Sequence, residues 1–155
     1  RDATIIFRGE TLYDGRLVPN TVENAMYNEK AYSSANLGSG DGDKNVRILR
    51  YADILLIRAE AATHIGADAA TPLNEVRKRV SLAPIAKPTT QDVWKERRLE
   101  LAFEHDRWFD VVRTGQGKTA MGANGKVFVV GKHELFPIPN NQLIQTPNMT
   151  QNPNW

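Results

Sequence analysis

The strongest hydrophobic pattern in the chain lies at residues 50–65. Apolar residues occupy nearly every side of the helix that this stretch predicts, which is typical of a helix buried among other helices. Asp53, Arg58 and Glu60 lie within the stretch, and charged groups at a desolvated surface need partners. Gly66 follows the last apolar position and predicts the end of the helix.

Three further helices are predicted downstream of the first. Residues 68–80 repeat apolar positions at helical spacing, so they form an antiparallel hairpin with the first helix across a short link. Residues 91–104 follow Thr90, a candidate N-cap, and predict a third helix. Residues 107–114 predict a short fourth helix that ends at Gly115.

The N-terminal segment shows little hydrophobic periodicity of the helical or the strand kind. Residues 1–45 are polar and rich in glycine, asparagine and serine, apart from a predicted short strand at residues 4–7. We therefore predict two regions, a loop-rich segment at residues 1–45 and a helical region at residues 46–155.

The C-terminal part is predicted to be irregular. Residues 115–126 read as a glycine-rich loop, residues 127–130 as a short strand, and residues 140–155 as a tail rich in asparagine, proline and glutamine. Trp155 ends the tail, and we expect this terminal aromatic side chain to be tied down. The predicted fold class is mainly α, with helical hairpins, long irregular loops and one or two short strands.

Composition excludes several classes of function. The 155 residues carry 20 Lys and Arg against 18 Asp and Glu, a net charge of +2, which does not favour binding to nucleic acid. The absence of cysteine excludes a disulfide scaffold, a thiolate zinc site and a cysteine nucleophile. No apolar run approaches the ~18 residues of a membrane-spanning helix.

A row of carboxylates lies on one face of the predicted third helix. Glu96, Glu100 and Glu104 repeat every fourth residue and point the same way, so they cannot flank a glycosidic bond as a glycosidase pair does. A hydrolase remains an alternative, but arginines lie among these glutamates and favour a structural ion-pair framework without catalytic residues. The predicted framework comprises Arg58, Glu60, Glu96, Arg97, Glu100, Glu104, Arg107, Asp110 and Arg113.

Metal sites are weakly indicated. Glu60 with His64, and residues 104–106, supply only two or three candidate ligands each, and neither set has an obvious further ligand. Residues 41–45 begin like a calcium-binding loop, but Val46 replaces the glycine that the loop requires. We interpret residues 41–45 as an acidic turn, keep weak calcium binding there as an alternative, and expect neither a resident metal nor a cofactor.

Three tyrosines stand out in the loop-rich segment. The rings of Tyr13, Tyr27 and Tyr32 offer flat apolar faces with a polar tip, the kind of surface on which sugars stack. These side chains either pin the loop to the body of the protein or bind ligand, and they are the candidate ligand-binding residues.

Three blocks of sequence go beyond periodicity. They are residues 50–61 with 73–79, residues 96–104 with 107–115, and residues 135–139 with 147–153. The second block, which opens with Glu96-Arg-Arg-Leu-Glu-Leu-Ala-Phe-Glu104, is the most specific. In this order and spacing the blocks resemble the C-terminal part of the SusD/RagB family of nutrient-binding outer-membrane lipoproteins. The resemblance covers residues 46–155, and it fits residues 1–45 only loosely.

The resemblance implies a fold and a function. It implies tetratricopeptide-like helix pairs, a lipid-anchored protein on the outer-membrane surface, and non-catalytic binding of oligosaccharide, or of peptide as in the RagB branch. It further implies a SusC-like TonB-dependent transporter as partner and a missing N-terminal part of the same protein. It does not identify any residue of the matched blocks as a ligand-binding residue. A helical-repeat module that binds another protein is the alternative function.

Overall fold

A computed structural model describes residues 4–34, 45 and 47–155 of the chain. These residues fall into two compact units, the first ending at Asp106 and the second running from Arg107 to Trp155. This division follows compactness, whereas the boundary predicted at residue 45 follows the change in sequence pattern.

Three helices form the core of the first unit: α1 (Tyr51–Ile65), α2 (Ala70–Arg79) and α3 (Thr90–Glu100). Helix α1 packs against both α2 and α3. This confirms the predicted hairpin of the first two helices, which a link of four residues joins. The buried core comprises Leu55, Leu56, Ala59, Leu73, Val76 and Val93.

The helix ends follow local side-chain chemistry. Gly66 ends α1 in the left-handed conformation, at φ 67°, as the sequence predicts. The N-cap of α3 is Thr89 rather than the predicted Thr90, because Thr89 and Asp92 form a reciprocal capping box. Helix α3 also ends at Glu100, four residues before the end predicted at residue 104. The turn that follows holds Phe103 at φ 66°.

A small antiparallel sheet precedes the helices. Strand β1 (Ile5–Phe7), which the sequence predicts, pairs with β2 (Met26–Asn28), and Ile6 lies opposite Tyr27. Between the two strands the chain folds back on itself at an isolated bridge between Thr11 and Leu17. A 3₁₀ helix, Glu29–Ala31, follows β2 directly.

The second unit contains three short helices: α4 (Arg107–Arg113), α5 (Gly117–Gly122) and α6 (Asn140–Gln145). Helix α4 confirms the sequence prediction, whereas α5 lies in a predicted loop and α6 in the predicted irregular tail. The predicted strand at residues 127–130 is wrong, since these residues have no ladder partner in the described part of the chain. Its Phe128 is instead buried against Gly117, where an added Cβ would lie 2.5 Å from the ring.

The C-terminal tryptophan is held by backbone carbonyls, as predicted. The Trp155 indole N–H donates to Lys132 O and Leu135 O, both at 3.0 Å. The Lys132 ammonium also lies 4.4 Å from the centre of the Trp155 ring, a cation–π contact.

The described residues are mainly helical, with one two-stranded sheet, which confirms the predicted fold class. Within residues 4–34, 45 and 47–155, no helix combines the length and the apolar composition needed to cross a membrane.

Candidate functional site

A tight hairpin turn presents Tyr13 and Asp14 at its tip. The Leu12 N–H donates to Arg16 O at 2.8 Å, and the Gly15 N–H donates to Leu12 O at 2.9 Å. Gly15 adopts φ 84°, a left-handed conformation that a residue without a side chain adopts at little cost. The Asp-Gly pair is the sequence signal for such a turn.

The turn brings Tyr13 next to Tyr32, which follows the 3₁₀ helix. The two ring centres lie 5.7 Å apart and the ring planes meet at 74°, an edge-to-face arrangement that aromatic quadrupoles favour. Tyr13 is 72% exposed, so much of its ring surface faces solvent. We name Tyr13 and Tyr32 the tyrosine platform.

Polar groups surround the tyrosine platform. The Tyr32 hydroxyl donates to Asp14 Oδ2 at 2.7 Å, and Arg16 Nε lies 3.3 Å from the same oxygen. The hydrogen bond from Tyr32 holds the pKa of Asp14 below its ordinary value, and the same bond raises the pKa of the Tyr32 hydroxyl. Arg16 Nη2 also donates to Ser34 O at 2.7 Å, which ties the turn to the segment after Tyr32. The tip therefore combines an exposed ring with an ionised carboxylate and a guanidinium.

Tyr27 lies apart from the tyrosine platform among the described residues. It belongs to β2, and its hydroxyl accepts a hydrogen bond from the Asn24 N–H at 3.1 Å. The structure thus brings two of the three candidate tyrosines together, and it places the third where it pins its own loop.

An ionic cluster connects the N-terminal segment to the three helices of the first unit. Lys30 donates to Glu100 O at 2.6 Å and pairs with the Glu104 carboxylate. Arg50 binds both glutamates, with Nη1 at 2.7 Å from Glu100 Oε1 and Nε at 2.5 Å from Glu104 Oε2. Arg79 on α2 binds Glu100 Oε1 at 2.8 Å. The cluster fixes the residues just before Tyr32 against α1, α2 and α3.

Two further ion pairs lie between the helices. Arg97 on α3 binds Asp53 in the first turn of α1, with Nη1 2.7 Å from Oδ1, and both side chains are less than a tenth exposed. Arg77 on α2 binds Glu96 on α3, with Nη1 2.5 Å from Oε2. Helix α3 is thereby linked by charge to each of the other two helices.

The remaining members of the predicted framework differ in their surroundings. Glu60 accepts a hydrogen bond from the Trp94 indole N–H at 2.8 Å. In the second unit, Asp110 is buried and pairs with Arg113 one turn later at 2.7 Å. Arg107 is the first residue of α4 and is partly buried.

Arg58 is the exception within the predicted framework. Arg58 is predicted to have a buried partner, but α1 turns this side chain toward solvent. The described residues give it no carboxylate within ion-pair distance, so the prediction is corrected for this position. The apolar positions surround α1 almost completely, and for this reason the sequence could not show which side of the helix is buried.

The three glutamates of α3 and the following turn do not form an acid–base pair in the described structure. A general acid that works near neutral pH needs a raised carboxyl pKa. Burial raises the pKa of Glu104, but hydrogen bonds from Arg50 and Lys30 outweigh this effect and leave the pKa below its ordinary value. Glu96 and Glu100 are likewise bound by arginines, an arrangement typical of structural ion pairs.

The candidate metal ligands do not come together into a site within the described residues. Over residues 4–34, 45 and 47–155, no three histidine or acidic side chains lie close enough together to hold an ion. The calcium-like segment falls largely outside the described residues, because residues 41–44 are not among them.

From the ionic cluster we expect the stability of the protein to depend on pH in the acidic range. A carboxyl whose pKa is lowered by folding stabilises the protein above its unfolded pKa, and this contribution is lost as the pH falls through the folded-state pKa. The contribution of Glu104 is therefore expected to disappear as the pH falls below 4.5, the ordinary value for the group. The free energy of unfolding of the Glu104→Gln variant is therefore expected to fall less steeply with falling pH than that of the unaltered protein.

The measurement is the urea midpoint of the protein at a series of pH values from about 6 to about 3. Glu75→Gln is the matched control, since Glu75 is exposed on α2. If the midpoints of Glu104→Gln fall as steeply with acid as those of the control, Glu104 does not supply the predicted contribution.

Sequence reasoning missed several of the polar residues that complete these sites. Asp14 and Arg16 could have been found from the Asp-Gly turn signal beside Tyr13. Lys30, Arg77 and Arg79 carry no local signal, because their partners lie far along the chain: Lys30 and Glu104 are separated by 74 positions.

Comparison with known proteins places the chain in a family. The family model described as "SusD family" matches residues 7–155, so the match begins well before the predicted start at residue 46. SusD-like protein P2 of Formosa agariphila is 32% identical over 145 residues, covering 79% of this chain and 29% of the relative. Starch-binding protein SusD of Bacteroides thetaiotaomicron is 31% identical over 118 residues, covering 71% of this chain and 21% of the relative.

A solved structure gives the same answer for the fold. Surface glycan-binding protein A from Bacteroides uniformis superposes with a TM-score of 0.77 at 30% identity, covering 98% of this chain and 37% of that chain. The chain spans under a third of the length of the curated relatives it matches. The superposition confirms the predicted class of tetratricopeptide-like helices. From the family match and the shared fold together, the chain belongs to the SusD/RagB family.

Proposed function

We propose that this chain is the C-terminal part of a non-catalytic surface protein that captures oligosaccharides, and that the tyrosine platform supplies part of the contact. The observation that carries the proposal is the edge-to-face pair of the exposed Tyr13 and the partly buried Tyr32. The names of two similar proteins support the ligand class, since one is a starch-binding protein and the other a surface glycan-binding protein.

The chemistry of the platform suits a sugar ring. The C–H face of a pyranose packs on the flat apolar face of an aromatic ring, and the sugar hydroxyls need donors and acceptors at the rim. The exposed ring of Tyr13 offers the flat face. Asp14 offers acceptors and Arg16 offers donors within the same turn.

The ionic cluster has a supporting role in this proposal. Lys30 lies two residues before Tyr32, and its ammonium is held by Glu100 O and the Glu104 carboxylate. The helices thus act as a rigid base for the segment that carries one half of the platform. A site of this kind needs its side chains held in place more than it needs chemical reactivity.

Family membership supports the wider setting of the proposal. The protein is held at the outer-membrane surface by a lipid anchor outside this chain, and it passes its ligand to a SusC-like TonB-dependent transporter. Peptide is the competing ligand class, as in the RagB branch, and the binding experiment separates it from oligosaccharide.

The test compares two substitutions at one position of the whole protein. Tyr13→Ala removes the exposed ring and is expected to weaken oligosaccharide binding by about tenfold, the equivalent of about 1.4 kcal/mol. Tyr13→Phe keeps the ring and is expected to bind nearly as well as the unaltered protein. Titration calorimetry with malto-oligosaccharides, other soluble oligosaccharides and short peptides supplies the affinities.

Two outcomes would count against this proposal. Equal affinity of Tyr13→Ala and Tyr13→Phe would remove the platform from the binding site. Binding of peptides but of no oligosaccharide would replace the proposed ligand class.

A further inference from the structure

The hairpin that carries Tyr13 is held by backbone hydrogen bonds at its base. The Gly9 N–H donates to Val18 O at 2.8 Å, and the Val18 N–H donates to Glu10 O at 2.9 Å. These bonds join the two arms of the hairpin before the turn begins. The base of the hairpin therefore stays folded when a contact at its tip is lost.

Two further hydrogen bonds join the tip of the hairpin to the segment after the 3₁₀ helix. The Tyr32 hydroxyl donates to Asp14 Oδ2 at 2.7 Å, and Arg16 Nη2 donates to Ser34 O at 2.7 Å. Asp14 and Arg16 lie two positions apart, as Tyr32 and Ser34 do, so the two bonds lie side by side. Arg16 Nε lies 3.3 Å from Asp14 Oδ2 and links them. We name these four residues the platform latch.

The bond between Tyr32 and Asp14 is formed over a wide range of pH. A tyrosine hydroxyl has one proton to donate, and in Tyr32 this proton goes to Asp14. The bond holds the pKa of Asp14 below its ordinary value of 3.8, and it raises the pKa of the Tyr32 hydroxyl above its ordinary value of 10.0. At neutral pH the donor therefore keeps its proton and the acceptor keeps its charge.

We propose that Tyr32 is a positioning residue of the oligosaccharide site, whose hydroxyl acts on the ligand only by holding Asp14 and the turn in place; this inference rests on the proposed function. The Tyr32 ring lies edge-to-face with the Tyr13 ring, with centres 5.7 Å apart. The platform latch fixes the turn beside that ring, so the Tyr13 ring is in place before a sugar arrives. A preorganised site binds more tightly, because less conformational freedom is lost on binding.

The exposure of the two rings supports different roles for them. Tyr13 is 72% exposed and presents its ring to solvent, whereas Tyr32 is partly buried. The hydroxyl proton of Tyr32 is already bound to Asp14, so it is not available to a sugar hydroxyl. Tyr13 is therefore the contact residue of the tyrosine platform, and Tyr32 is its support.

The experiment is a double-mutant cycle of Tyr32→Phe and Asp14→Ala in the whole protein. Tyr32→Phe keeps the ring and removes the hydroxyl, and Asp14→Ala removes the acceptor. Asp14→Asn is the conservative variant, because its amide oxygen still accepts from the hydroxyl. Tyr27→Phe is the matched control, since the Tyr27 hydroxyl binds the Asn24 N–H instead. Titration calorimetry with malto-oligosaccharides and other soluble oligosaccharides gives the affinities.

The loss in Tyr32→Phe is expected to depend on Asp14. Tyr32→Phe is expected to weaken binding by about fivefold, the effect of losing one hydrogen bond near the surface. The double variant is expected to bind as Asp14→Ala does, because without Asp14 the hydroxyl holds nothing in place. Asp14→Asn is expected to bind more tightly than Asp14→Ala. The urea midpoint is expected to change little in any variant, since opening of the tip is local.

A second measurement follows the hydrogen bond itself. Tyrosine is labelled with carbon-13 at the phenol carbon, and the signal of Tyr32 is the one that is missing from the spectrum of Tyr32→Phe. The pKa of the Tyr32 hydroxyl is expected to fall in Asp14→Ala, because its hydrogen bond to Asp14 is the main cause that raises it. A role of Asp14 in packing alone would leave this pKa unchanged.

Three results would overturn the inference. Losses of affinity that add in the double variant would show that the Tyr32 hydroxyl acts on the ligand independently of Asp14. Full affinity of Tyr32→Phe would show that the platform latch does not position the site. An unchanged pKa of Tyr32 in Asp14→Ala would show that the two side chains are not hydrogen-bonded in solution.

Tyr13→Ala and Tyr13→Phe are measured in the same series to separate this inference from the proposed function. Equal affinity of these two variants would refute the proposed function at this site, and the positioning role of Tyr32 would be refuted with it. Weaker binding by Tyr13→Ala together with additive losses in the double-mutant cycle would refute the positioning role alone.

Discussion

Replacing Arg97 with alanine is expected to lower the free energy of unfolding by about 3 kcal/mol. The Arg97 guanidinium binds Asp53 at 2.7 Å between α3 and α1, and the side chains are only 7% and 8% exposed. Removing the arginine leaves the Asp53 carboxylate buried without this counter-charge. The loss lies at the lower end of the usual range because Asp53 is in the first turn of α1, where the helix dipole favours a negative charge.

Arg98→Ala is the matched control for this prediction. Arg98 is the next residue of the same helix and is exposed, so its loss is expected to change the free energy of unfolding by less than about 0.5 kcal/mol. Chemical denaturation of the protein and of both variants gives the comparison. Equal stability of Arg97→Ala and Arg98→Ala would show that the buried pair does not hold the helices together. Ligand affinity is expected to be unchanged in both variants.

Leu73→Ala is expected to cost about 3 kcal/mol of stability as well, for a different physical reason. Leu73 lies on α2 with 0% of its surface exposed, in the core that α1, α2 and α3 share. Truncation removes buried apolar surface and leaves a cavity that the packed helices cannot fill by collapse. The thermal midpoint and the denaturant midpoint of the variant both report this loss.

Leu82→Ala provides the comparison at an exposed position. Leu82 lies just after α2 and is 45% exposed, so the same chemical change there is expected to cost less than about 1 kcal/mol. A loss of stability in Leu82→Ala as large as that in Leu73→Ala would contradict the packing of α2 that the structure describes.

The helical hairpin of the first unit could be predicted because its signals are local. The apolar positions of α1 and α2 repeat at helical spacing, and Gly66 supplies the turn between them. The match of three separated blocks then pointed to the family. Periodicity and a glycine after the last turn depend only on neighbouring residues, so both can be recognised in a single sequence.

Features that depend on tertiary contact could not be predicted in the same way. Val127 to Val130 has the composition of a strand, but burial of Phe128 against Gly117 decides its conformation. Helix α3 ends at Glu100 although its apolar and charged pattern continues, and Glu104, four residues later, joins the ionic cluster. Local propensity is a weak signal where long-range contacts compete with it.

The candidate site shows the same limit. Tyr13, Tyr27 and Tyr32 were equivalent in the sequence, since each is a tyrosine within polar loop residues. Strand pairing places Tyr27 opposite Ile6, while the Asp14–Gly15 turn brings Tyr13 to Tyr32. The choice between the tyrosines is made by contacts between residues 19 positions apart, which no local pattern encodes.

The most direct test of the proposed function is whether the protein binds an oligosaccharide and leaves it chemically unchanged. The whole protein is titrated with soluble oligosaccharides in a calorimeter, and the ligand is then analysed by mass spectrometry after prolonged incubation. The account predicts saturable binding and a ligand of its original length. Shortened products that disappear in the Glu100→Gln variant would contradict it, because they would make the glutamates of α3 catalytic groups rather than members of a structural framework.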